Sequence, residues 1–116
     1  MKLCFPIEKD EGLDSVVYED FGSAPALLIF DAKTKKQKTI SNKLQGGIPL
    51  KTLVSERVDI VIVESLADGV VVALEDAGIG ALQSIKGTVK KNLEAFERQS
   101  LPNFKRNCAG HSGFAQ

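Results

Sequence analysis

An α/β fold with a mixed five-stranded sheet, three antiparallel strands followed by two parallel crossover strands flanked by helices, is predicted by three features of this sequence. Residues 2–7 alternate, placing Leu3, Phe5 and Ile7 on one face, as a strand does. In residues 59–63 (Asp-Ile-Val-Ile-Val) the four β-branched side chains after Asp59 leave no polar face, the pattern of a strand covered on both faces. Helical stripes separate the later strands: Leu50, Leu53 and Val54, then Leu66, Val70, Ala73, Leu74 and Ala77.

The elements follow in chain order. Pro6 has no N–H to donate, so its side of the first strand must be unpaired or at a strand end. Residues 8–25 form a long connection rich in charge and turn formers. Residues 26–31 (Ala-Leu-Leu-Ile-Phe-Asp) are a nearly continuous apolar run of strand length. A hairpin turn is expected at 32–37, leading to a more exposed strand at 38–42. Gly46-Gly47-Ile48-Pro49 ends the strand pattern, and Pro49 suits the first position of a helix. Asp68 is expected to cap the start of the second helix and Gly78 its end. Residues 79–84 read as the last strand. Thr88 then caps a third helix whose buried face is Val89, Leu93 and Phe96. These elements make one domain over 1–101, and 102–116 are expected to form a flexible Gly/Asn-rich tail carrying Cys-x-x-His.

Composition excludes several functions. Among 116 residues, fifteen Lys+Arg balance fifteen Asp+Glu. No electrostatic surplus exists to grip nucleic acid. No apolar run exceeds five residues, far short of the roughly 20 needed for a membrane span. Charge returns at Glu8 before a secretory apolar core can form, so a cytoplasmic location is expected. Cys4 and Cys108 allow at most one bridge, and a reducing compartment argues against using it.

In a sheet of this kind, ligands sit beyond the carboxyl ends of the parallel strands, near helix N-termini. That edge is built here from Glu8 onward, from 64–69 and from 84–88, with Gly46-Gly47 expected nearby. The glycine pair either presents bare amides to an anion or is a flexible turn. It lacks the Lys-Ser/Thr of a nucleotide-binding loop. Cys108 and His111, three residues apart, either chelate a metal with a third ligand from elsewhere, such as Cys4, or are an incidental pair in a tail. Ser65 has no base nearby and few carboxylates converge at strand centres, so a non-catalytic role is expected.

Taken together, Met1-Lys2-Leu3-Cys4-Phe5-Pro6-Ile7, Gly12-Leu13-Asp14-Ser15, Asp20-Phe21-Gly22-Ser23-Ala24-Pro25, Gly46-Gly47, Asp76-Ala77-Gly78-Ile79 and Gly87-Thr88-Val89 resemble the dinitrogenase iron–molybdenum cofactor biosynthesis family. The resemblance implies a ribonuclease-H-like three-layer fold without nuclease activity. It also implies a non-catalytic carrier or scaffold, in an anaerobe, for an anionic metal–sulfur cluster: iron–sulfur, iron–molybdenum or molybdenum–copper sulfide. The implied site draws on the turn Phe21, Gly22 and Ser23, on backbone at Gly46, Gly47, Ser65, Gly69 and Gly87, and on apolar walls from Ile48 and Leu66. Lys51 or Lys86 would add charge, and Cys108 with His111 would ligate metal and close over the cluster. Asp20 and Ser23 stand where relatives often have His and Arg. The expected partners are the inorganic cluster and a nucleotide-dependent protein; the alternatives are an adaptor without cargo, or a ribonuclease-H-like hydrolase.

Overall fold

β1 (Lys2–Ile7) occupies the centre of the sheet, because both of its faces are apolar and both are covered. The computed structural model describes residues 1–41 and 50–104. The other elements are β2 (Ala26–Asp31), β3 (Lys36–Ser41), α1 (Leu50–Ser55), β4 (Ile60–Val63), α2 (Asp68–Asp76), β5 (Gly80–Gln83) and α3 (Val89–Glu97). The strand order is β3-β2-β1-β4-β5. β1–β2 and β2–β3 pair antiparallel, whereas β1–β4 and β4–β5 pair parallel, as the sequence predicts. The order is compatible with a ribonuclease-H-like fold.

Strand alternation sorts the core into two halves. Leu3, Phe5, Ile7, Leu28, Phe30 and Ile62 face α3, where they meet Val89, Leu93 and Ala95. Cys4, Leu27, Ile29, Val61 and Val63 face the other way, against Leu53 of α1 and Val70 and Leu74 of α2. The result is three layers with the sheet in the middle. Pro6 fits the central strand because pairing with β4 covers only Leu3 and Cys4. Past that point the Pro6 carbonyl accepts the Tyr18 N–H at 2.7 Å, so the missing donor falls where no strand needs it.

Several boundaries differ from the sequence expectation. The β2–β3 turn is shorter than 32–37, and β3 begins at Lys36 rather than at Lys38; Asn42, its expected last residue, lies outside the described residues. The Asp31 carboxylate accepts the Lys33 N–H at 2.9 Å, and Lys35 adopts φ 64°, so the chain reverses quickly enough for Lys36 to pair with Asp31. β4 starts at Ile60, since Asp59 is committed to Lys2: its N–H donates to the Lys2 carbonyl and its carboxylate accepts the Lys2 N–H. Asp68 is the first residue of α2 and does not cap it. The cap position is Ala67, which has no side chain able to accept.

The helices α1, α2 and α3 each end in the same left-handed motif. After α2, Gly78 (φ 76°) donates to Glu75 and Ile79 donates back to Leu74, so Ile79 is not part of β5. Arg57 and Gln99 take the equivalent position after α1 and α3 without being glycine. Beyond Leu101 the chain still touches the sheet. Pro102 accepts from Gln83 at 2.8 Å and the Phe104 N–H donates to Ala81 at 3.0 Å, covering the outer edge of β5. This segment runs antiparallel to β5.

Candidate functional site

β1, β4 and β5 are parallel, so all three deliver their carboxyl ends to one edge of the sheet. The long connection after β1 is stitched across that edge by its backbone. Val17 lies opposite Ile7 and donates to the Gly87 carbonyl at 3.2 Å, Val16 lies opposite Thr88, and Asp20 lies opposite Ser65. Leu13 and Val17 pack into the α3-side core and Phe21 into the opposite one, so the connection passes from one layer to the other.

This path decides which helix N-terminus is open. The first N–H groups of a helix have no partner within it. At α3 the protein supplies every one. Val89 donates to Ser15 at 2.8 Å, Lys90 to Leu13 at 2.8 Å and Lys91 to the Thr88 hydroxyl at 3.2 Å, while Asn92 donates to the Thr88 carbonyl at 3.1 Å. At α2 the Ala67 carbonyl accepts only from Val70 and Val71. The Asp68 and Gly69 N–H groups have no partner among the described residues, and both residues are exposed. A methyl group placed on Gly69 would meet nothing within 4 Å. The α2 terminus therefore has amides and space to spare among the described residues, which is suited to an anion.

The expected site residues divide accordingly. Ser65 and Gly69 are exposed and Leu66 is half-buried, all on the loop from β4 into α2. The backbone bridge from Asp20 to Ser65 brings the short 3-10 turn Phe21–Ser23 alongside. Within that turn Phe21 is fully buried, so its side chain packs the core, and the Ser23 hydroxyl donates to the Asp20 carboxylate at 2.9 Å. Gly87 belongs to the closed α3 terminus. Its φ of 133° is glycine backbone, and a Cβ there would stand 2.9 Å from Lys91 Cδ. Lys51 and Lys86 are exposed. Gly46, Gly47, Ile48, Cys108 and His111 lie outside the described residues.

Two polar side chains at this edge were not anticipated. Gln83, the last residue of β5, donates its amide Nε2 to the carbonyls of Val63 (3.4 Å) and Glu64 (3.0 Å), the residues that lead out of β4. Alternation carried the signal, because Gln83 shares the α2 side of β5 with buried-facing Ala81, where a polar residue needs a partner. Asn92 is fully buried in α3. Its Oδ1 accepts the Ile85 N–H at 2.9 Å and its Nδ2 donates to the carbonyls of Ile85 and Thr88. The Ser84 hydroxyl is buried with no hydrogen-bond partner among the described residues.

Direct metal ligation finds no support among the described residues, where no three His, Cys, Asp or Glu side chains converge. Cys4 is not the expected third ligand: it sits at the sheet centre with no exposed surface, and burial pushes its thiol far above the ordinary value. The long connection is acid-rich, with Glu8, Asp10, Glu11, Asp14, Glu19 and Asp20 against Lys9. An anion at this edge would therefore rely on backbone amides rather than on side-chain charge. No helix among the described residues is long and apolar enough to cross a membrane.

Fold and edge together define a small three-layer α/β domain in which the α2 terminus keeps unspent amides among the described residues. The chain belongs to the dinitrogenase iron-molybdenum cofactor family, whose model matches residues 1–99. No curated protein matches the chain. Among solved structures, the apo form of the orange protein from Desulfovibrio gigas is similar, with a TM-score of 0.81 at 21% identity over 89% of this chain and 92% of that one. A candidate NifB protein from Thermotoga, assigned to the DUF35 family, gives 0.78 at 23% identity over 92% and 98%. A candidate dinitrogenase from Methanocaldococcus jannaschii gives 0.74 at 21% over 91% and 96%. At these identities the structures establish a shared fold.

Proposed function

We propose that this protein binds and carries an anionic metal–sulfur cluster as cargo, without chemically transforming it, at the edge where Ser65, Leu66 and Gly69 lead into α2. Family membership supplies the cargo class. The single structural observation that supports the location is the contrast between α3 and α2: the first amides of α3 are spent on Ser15, Leu13 and its own cap Thr88, and the Asp68 and Gly69 amides of α2 are unspent among the described residues. A thiometallate is bulky, polarizable and negative, so it is matched by amide donors beside a half-apolar wall such as Leu66. The cargo is iron–sulfur, iron–molybdenum or molybdenum–copper sulfide in kind. The setting is the cytoplasm of an anaerobe, with a nucleotide-dependent protein as the partner in transfer. Cys108 and His111 are proposed to add ligands from the C-terminal segment.

Anaerobic titration of ¹⁵N-labelled protein with tetrathiomolybdate tests the location. The amides of Ser65, Asp68 and Gly69 should shift saturably, while those of Val89 and Lys90 stay still. Shifts centred on α3, or none at all, would overturn the reading. Replacing Cys108 and His111 together by Ala should lower retention of the bound anion on gel filtration. Unchanged retention removes the C-terminal segment from the site.

A further inference from the structure

We infer that Gln83 is a positioning residue for the α2 site, an inference that rests on the cargo reading above. The loop that aims the open amides is short. Four residues, 64–67, separate the end of β4 from Asp68. Such a loop presents its amides in one direction only if its entry is fixed, and an anion bound by backbone gains affinity from donors that are already aligned.

Two contacts fix this loop. On one side the backbone of Ser65 is bridged to Asp20. On the other, the Gln83 amide donates to both Val63 and Glu64 carbonyls, while the Ser84 N–H donates to Val63 at 2.8 Å. The Glu64 carbonyl is the first acceptor past the strand, and among the described residues its hydrogen bond comes from this side chain. Gln83 is itself held from behind, because its backbone N–H donates to Pro102 in the segment that covers β5. The C-terminal segment and the loop into α2 thus meet through one residue. A carboxylate here would have no N–H to offer either carbonyl, and an apolar side chain would leave the Glu64 carbonyl without this donor, while Val63 keeps the Ser84 N–H.

The test compares tetrathiomolybdate binding by the full-length wild type and by Gln83→Met, which keeps the volume and removes both donors. Partners that orient a ligating group are commonly worth about 10- to 100-fold in affinity. A loss of about tenfold or more is expected in the variant, with the Gly69 amide resonance displaced and the Phe104 amide unchanged. Thermal stability, read in parallel, separates this from general loosening, since a purely structural role lowers the melting temperature and leaves the affinity of folded molecules alone. Unchanged affinity in Gln83→Met beside a binding wild type overturns the inference and spares the cargo site. A wild type that ignores the anion defeats both. If Gln83→Met fails to fold, the wild-type side chain itself decides: its Nε2 protons should exchange slowly and shift on saturation, and an unshifted, fast-exchanging amide overturns the inference.

Discussion

Val89, the first residue of α3, donates its backbone N–H to the carbonyl of Ser15 across 74 positions of sequence at 2.8 Å. This bond, with its neighbour from Lys90 to Leu13, closes the N-terminus of α3 at the carboxyl edge of the sheet. At α2 the Asp68 and Gly69 donors stay unspent among the described residues.

Amide hydrogen exchange should report the contrast directly. Val89 and Lys90 should be strongly protected at neutral pH, because exchange requires the long connection to lift off. Asp68 and Gly69 should exchange at nearly the unprotected rate. Slow exchange at Gly69 in the free protein would mean that its N–H already has a partner.

Asp68→Asn should separate stability from binding. The carboxylate in the first turn of α2 favours the helix through its dipole, so its removal should lower stability by about 0.5 kcal/mol at low salt. The same charge repels an anion at that terminus, so tetrathiomolybdate should bind the variant several-fold more tightly. Weaker binding would show that Asp68 contacts the cargo through a bound cation or proton.

Asn92→Leu should cost about 3 kcal/mol, readable as a shift of the urea midpoint. The change strands the Ile85 N–H and two carbonyls that the amide now satisfies in the buried core. A loss below about 1 kcal/mol would mean that water replaces the amide.

The β2–β3 turn should carry a pH signature. The Lys33 N–H, chiefly, holds the Asp31 carboxyl below its ordinary value of 3.8. A carboxyl whose folded value is depressed adds stability above its unfolded value and loses it as pH falls through the folded one. The stability gap between wild type and Asp31→Asn should therefore be present at pH 6 and shrink below about pH 4. A gap that is constant with pH would exclude the charge as its source.

Which features were legible follows from where their causes lie in the chain. Alternation in Lys2–Ile7 and the β-branched run at 60–63 specified both covered strands, because side-chain period is local. Gly78 and Thr88 announced a helix end and a helix start through their own chemistry. Arg57 and Gln99 gave no such notice. They sit in left-handed backbone because Val58 and Ser100 are pulled back to Leu53 and Ala95, and packing around those residues holds the bend.

The sequence by itself determined the covered strands and the strand directions, since hydrophobic period and turn chemistry act over a few residues. Only the tertiary structure decided which glycine-bearing helix start stays open, and that Gln83 rather than a motif residue braces the loop into it. Both outcomes depend on hydrogen bonds between segments far apart in the chain, and no local pattern of residue types encodes which helix terminus the long connection will cover.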